Sequence, residues 1–300
     1  MTRDEQLSWE ARWGRPVAVA TFLAGILTLF STTTFIPKNR TGVEATPDLL
    51  LSIHEDHSGY MTSSILSALS ALFLTATFYY LFRAIDARGG GIPRWFVYIV
   101  IAAPIAYAVS RVIYAIDAID IADEFASGTP IRGAAGGDRA KAISDISPVV
   151  LVLQTAGTVG VAFLFVMLPL RARRVGLLTP FMSILGVVAG ALIVFPFASI
   201  SSIVQAFWLG ALGALLLGRW PGGRGPAWES GEAEPWPTAA QRRADLMEQQ
   251  SDTTPSPQPD DGPEPEEGAE PEEGAEPQEG AEPQEDLERP PSRKRKRKRR

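Results

Sequence analysis

Both histidines of the chain, His54 and His57, fall in the stretch SIHEDHSGY (52–60), with Glu55 and Asp56 between them. Imidazole ligates first-row divalent metals and changes charge near neutral pH, so metal binding and proton handling are the two chemistries open to this pair. On one continuous helix a spacing of three puts both rings on one face. A zinc site needs three or four ligands, however, and HEDH is one residue shorter than the HEXXH pattern of zinc proteases. Further donors must come from elsewhere, and the stretch AIDAIDIADEF (115–125) offers them. There Asp117, Asp120 and Glu124 recur at helical intervals that line one face, with Asp123 flanking the stripe. His54, His57, Asp117, Asp120 and Glu124 therefore form a candidate cation or proton site. The alternative is a set of polar helix ends solvated at a membrane surface.

A second polar set lies in apolar surroundings. Arg111 stands sixteen residues beyond Trp95, about 24 Å along a helix at ~1.5 Å per residue, close enough to the far side of a bilayer to snorkel outward. Counted in the same way, Gln154 and Gln205 reach a similar depth, and Tyr107 and Tyr114 flank Arg111 on its own segment. These five form a candidate intramembrane polar layer, read either as a clamp between helices or as part of a conduction path. Ser63, Ser67 and Ser70, and Gly186 with Gly190, make small-residue stripes suited to close packing and carry no chemistry of their own.

Several chemistries are excluded. The absence of cysteine removes disulfides, iron–sulfur clusters, thiolate zinc sites and cysteine nucleophiles. Lys38, Lys141, Lys294, Lys296 and Lys298 all lie outside the apolar segments, so no lysine is placed for an intramembrane Schiff base. Neither histidine is deep enough for a bis-histidine haem or an intramembrane serine–histidine pair. No cofactor is expected, no catalytic residue is assigned, and the reading is non-enzymatic.

The elements that must position these groups are apolar helices. Residues 16–36, 59–82, 95–116, 148–170, 177–196 and 199–218 each offer about 20 mostly apolar residues, the length that crosses a hydrocarbon core of about 30 Å. The expected fold is an all-α membrane protein, a bundle of six transmembrane helices over 16–220. The first apolar run is long for a signal peptide and lacks a clear small-x-small cleavage site, so it is read as a retained span. Phe195-Pro196-Phe197-Ala198-Ser199 divides the last two spans, because proline removes a helical donor. Eleven arginines flank one side of this arrangement, Arg3, Arg12, Arg15, Arg83, Arg88, Arg94, Arg171, Arg173, Arg174, Arg219 and Arg224. Five basic residues, Lys38, Arg40, Arg132, Arg139 and Lys141, flank the other. The positive-inside rule then puts both termini, including the segment 1–15, in the cytoplasm. Thr46-Pro47-Asp48 reads as the start of a helix leading to the histidines, which lie on the far side.

Beyond the spans, 221–250 is a Trp/Pro-rich membrane exit with a short helix near its end, and Trp95, Trp220, Trp228 and Trp236 are expected interface anchors. A second use of closely spaced tryptophans is to dock a cytoplasmic protein. Residues 251–300 hold the hexapeptides GPEPEE, GAEPEE, GAEPQE and GAEPQE before RKRKRKRR, too polar and proline-rich to bury a core, and are expected to be a disordered acidic linker with a basic end. Arg293–Arg300 suits anionic lipid or the acidic linker itself. No aromatic residue is interleaved to stack on bases, which argues against nucleic acid as a partner.

Three segments, RVGLLTPFMSILG (174–186), VQAFWLGAL (204–212) and GRWPGGRGPAWESGEAEPWP (218–237), resemble those of an uncharacterised family of actinobacterial multi-pass membrane proteins. The resemblance implies an integral protein of a bacterial cell envelope and transfers no activity or site residue; the location expected for the chain is the cytoplasmic membrane. Together the readings point to a non-enzymatic scaffold or regulatory component presenting a charged cytoplasmic tail. The alternative is a small transporter or ion-coupled permease using the polar site at the outer mouth.

Overall fold

The structure, a computed structural model, describes residues 2–36, 45–128, 134–143, 147–194, 198–221 and 223–236, together with Gln241, Arg243, Ala244 and Met247. The described residues contain no strand; they form α1 (Arg3–Thr34), α2 (Ala45–Glu55), α3 (His57–Ala87), α4 (Phe96–Ser127), α5 (Ala134–Ile143), α6 (Pro148–Arg174), α7 (Pro180–Val194), α8 (Ala198–Leu216) and α9 (Pro226–Ser230). The chain divides into two units, Met1–Ala244 and Asp245–Arg300. The acidic repeats and basic end belong to the second and lie outside the described residues.

Four helices, α1, α3, α4 and α6, are long and apolar enough to cross a membrane. Their outward side chains are apolar: Ile26 and Phe30 of α1 and Ile65 and Leu72 of α3 are all exposed, as suits surfaces facing lipid. α1 starts well before the expected span, because Thr2 and Glu5 close a capping box at its first turn. α7 and α8 are apolar but shorter. α7 begins at Pro180 rather than 177. Gly176 turns the chain at φ 79°, and the Thr179 hydroxyl then accepts from the Met182 amide at 3.2 Å, capping a helix with proline in its first turn. Residues 195–197, where the proline break is expected, lie outside the described residues.

The six apolar helices pack in a closed circuit, α1–α3–α4–α6–α7–α8 and back to α1, with α3 also touching α6. Hydroxyls join α1 to α3: Thr21 Oγ1 lies 2.9 Å from Thr77 Oγ1, Ser70 donates to the Ala24 carbonyl, and Ser63 donates to the Ser31 carbonyl at 2.6 Å. The serine stripe on α3 thus packs by hydrogen bonding as well as by small size. Where α4 meets α6, a Cβ at Gly157 would stand 2.6 Å from the Tyr107 backbone nitrogen; where α6 meets α7, one at Gly190 would stand 2.7 Å from the Ala162 carbonyl oxygen. Only glycine permits these approaches. The main core gathers Phe78, Phe165, Leu168, Trp208 and Leu212. A separate apolar cluster, with Leu50, Ile53, Tyr60, Ile121 and Phe125, ties α2 to the far end of α4.

Candidate functional site

The two histidines stand on either side of a helix break. Asp56 leaves helical geometry at φ −139° and ψ 68° and serves as the N-cap of α3, its Oδ1 accepting from the Gly59 amide at 2.8 Å. Gly59 leaves room for this cap, since a Cβ there would push the Asp56 carboxylate aside. A shared face for both rings holds only on one continuous helix; the structure has two, because the Asp56 side chain satisfies an amide at the start of α3. The fully buried Ile53 and Phe125 pack in the cluster beneath and bring this break to the last turns of α4.

The partner waiting on α4 is Asp123. His54 Nδ1 donates to Asp123 Oδ1 at 2.6 Å, and His57 Nε2 lies 2.9 Å from the same oxygen. The second contact has the distance of an ion pair but lacks hydrogen-bond alignment, so His57 Nε2, itself shielded from solvent, has no hydrogen-bond partner. The two rings meet edge to face with centroids 5.6 Å apart. All three side chains are partly exposed, at 46%, 40% and 48%. The hydrogen bond from His54 holds the Asp123 carboxyl below its ordinary range. The His54, His57 and Asp123 ligand atoms lie within 4.8 Å of one another, an arrangement able to hold a metal ion. Asp117, Asp120 and Glu124, on the neighbouring face of α4, do not join this group. Asp123, read as a flank of the stripe, is the residue that α2 and α3 approach.

At the opposite end of the bundle is a second charged centre, buried rather than exposed. Arg88, just past α3, pairs with Glu10 of α1 through two hydrogen bonds, Nη1 to Oε1 at 2.6 Å and Nη2 to Oε2 at 2.9 Å. Its Nε and Nη2 also donate to the Ala227 carbonyl at 2.9 and 2.8 Å, and Nη1 donates to the Ala84 carbonyl. Every N–H of the guanidinium is satisfied. The two side chains are 0% and 2% exposed. Gln6 Nε2 supplies Glu10 Oε1 with another donor at 2.8 Å. Around them Trp9 stacks on Tyr80 at 5.2 Å and Tyr80 on Trp228 at 5.9 Å, while Arg88 and Arg224 sit over the Trp228 ring.

The expected anchors divide accordingly. Trp95 is 59% exposed. Trp228 is a correction: it is 4% exposed and its Nε1 donates to the Leu177 carbonyl at 2.9 Å. Its ring is covered instead by Tyr80 and by the guanidinium groups of Arg88 and Arg224. Trp220 and Trp236 are half-buried against the main core. The exit segment is thus folded onto the bundle through Ala227, Trp228 and the Glu234 amide, which donates to the Val175 carbonyl.

The residues of the expected polar layer are not joined by hydrogen bonds among the described residues. Gln205 Nε2 donates within its own helix to Ser201 Oγ at 2.7 Å, and Arg111 Nε is buried without a partner. Tyr107 packs between the main core and a small cluster with Ala68, Ala71 and Ala108, Tyr114 packs against the cluster under the histidines, and Gln154 is half-buried on α6. The Glu10–Arg88 pair was missed from sequence. Its signal is that Gln6 and Glu10 share the buried stripe of Gly14, Val17, Thr21 and Ala24 on α1, and a carboxylate on such a stripe needs a partner.

Compared with family models, with curated proteins and with solved structures, the chain found no match in any of the three.

Proposed function

We propose that this chain is an integral protein of the bacterial cytoplasmic membrane, crossing it six times with both termini in the cytoplasm. In this reading it acts as a non-enzymatic scaffold or regulatory component that holds residues 237–300 out to anionic lipid and to a cytoplasmic protein partner. The observation that carries the reading is the buried guanidinium of Arg88 on the Ala227 carbonyl. A chain that merely leaves a bilayer needs no fixed backbone there. Fixing it gives the tail a defined point of departure on a rigid platform. The resemblance over 174–237 supports the envelope assignment, and the closed circuit of helices supports counting α7 and α8 as spans beside the four longer ones. The permease alternative needs a connected polar path, and the residues around Arg111 supply none by hydrogen bonding among the described residues.

Because the chain has no cysteine, topology is testable with single substitutions. A membrane-impermeant maleimide on intact spheroplasts should label Ala135→Cys and spare Gly89→Cys, Arg174→Cys and Thr238→Cys; labelling of Thr238→Cys overturns the orientation. For function, the full chain and a chain ending at Ala244 are purified by affinity from native membranes. The proteins and anionic lipids recovered with the full chain should be lost with the tail, and an identical set from both chains would sink the scaffold reading. Recovery of RNA in place of lipid would reassign the basic end.

A further inference from the structure

We propose that His54, His57 and Asp123 form a binding site for one first-row divalent metal ion, of which zinc is the best fit, at the junction of α2, α3 and α4. Two imidazole nitrogens and one carboxylate oxygen are the donor set that borderline metals favour, and three protein ligands leave a fourth position open to water or an outside ligand. This is a different set from the acidic stripe on α4, and it is independent of what the tail does.

Three observations carry the assignment. The donors come from three separate helices yet converge within 4.8 Å, and the convergence is built: the Asp56 cap breaks the helix between the histidines and Ile53 and Phe125 seat the break against α4. His57 Nε2 is shut off from solvent, 2.9 Å from Asp123 Oδ1 and out of line for a hydrogen bond. A shielded ring nitrogen whose close neighbour is a misaligned carboxylate oxygen gains from a metal ion that both atoms can ligate. Lastly, the geometry is within reach. Metal–ligand bonds of about 2.0–2.2 Å in a tetrahedron separate ligand atoms by roughly 3.3 Å. The present 2.6 and 2.9 Å separations need to open by roughly 0.7 and 0.4 Å, and the two ring nitrogens, already within 4.8 Å of each other, must settle at the same spacing, shifts that partly exposed side chains have room to make. On binding, Nδ1 of His54 exchanges its proton for the metal, so the ion replaces the hydrogen bond and the proton passes to solvent.

The ion would pin the α2–α3 break to the end of α4, a clip whose strength follows free metal outside the bundle. The full chain in detergent, stripped with chelator and dialysed, is titrated with Zn2+ alone against a chromophoric competitor, and with Co2+ for its visible spectrum. One Zn2+ per chain is expected, with Co2+ bands of low-coordinate nitrogen–oxygen type. His54→Ala, His57→Ala and Asp123→Asn should each weaken binding by at least the roughly 10–100-fold that even a supporting partner costs. Asp117→Asn, Asp120→Asn and Glu124→Gln should leave it unchanged. Melting curves without metal confirm that each variant is folded. The proposal is overturned if the wild type binds Zn2+ no more tightly than the double histidine variant, or if the stripe variants abolish binding while Asp123→Asn does not.

Discussion

The two ends of the bundle each bring carboxylate and cationic or imidazole groups together, and they do it in opposite ways. Glu10 and Arg88 are sealed, with every guanidinium N–H bonded and a backbone carbonyl drawn into the pair. His54, His57 and Asp123 are half open, with one nitrogen unsatisfied and a single carboxylate oxygen shared by two rings. A buried pair must be complete, because neither water nor ions can repair it. An exposed group can stay incomplete and exchange what completes it. Structure is therefore held at the arginine end, and exchange is available at the histidine end.

The comparison breaks most visibly at Arg88. Arg88→Ala leaves the Glu10 carboxylate buried and uncompensated, which should lower stability by about 3–5 kcal/mol, read as a large drop in the melting temperature of the full chain in detergent. Pairing it with Glu10→Met should restore part of the loss, since no orphan charge remains, although the Ala227 carbonyl loses its arginine donors and keeps only the Gly231 amide. A change no larger than that of a surface substitution would mean the pair is not sealed in solution.

Trp228→Phe keeps most of the stacked area but removes the donor to Leu177, and about 1–3 kcal/mol is the expected loss. The same chain should show faster proteolysis between Pro221 and Trp236, where the exit segment loosens; unchanged cleavage would place the indole outside the lock.

At the histidine end, without metal, His54→Ala should cost less than about 1 kcal/mol, the range of an exposed ion pair. A loss as large as that of Arg88→Ala would erase the distinction between the ends.

The smallest effect is in pH. The Asp123 carboxyl is held low in the folded chain by His54, so its contribution is whole above the ordinary Asp value of about 3.9 and fades as pH falls through the lower native value. Asp123→Asn should therefore be slightly less stable than wild type at pH 6, with the gap narrowing as the pH falls below the ordinary Asp value. A gap that widens on acidification would show the sign to be wrong.

What could be read in advance follows the range of the interactions. Hydropathy over about 20 residues located α1, α3, α4 and α6, and Thr46-Pro47-Asp48 marked the start of α2. The pause at Asp56 depended on a three-residue link to Gly59 that a helical wheel treats as ordinary spacing. α7 shows the same conflict, for Thr179-Pro180 is a local start signal that the longer apolar run outweighed. The choice of Asp123 over Asp117 or Asp120 is set by how Ile53 and Phe125 seat one helix on another, which no single segment encodes. The Glu10–Arg88 link spans 78 positions and the exit lock more, so only the buried stripe on α1 hinted that a partner was needed.

The Arg88–Ala227 bond also sets a timetable. Its partners are 139 residues apart, so at about 5–20 residues per second a ribosome makes Arg88 roughly 7–28 seconds before it makes Ala227. Through that interval the guanidinium has Glu10 and Ala84 within the synthesised chain but lacks its last acceptor, and the arginine end stays unfinished while α4 to α8 are being made. Assembly of this end is complete only when the exit segment arrives, so a chain interrupted anywhere before Ala227 carries a mark of incompleteness close to its own beginning.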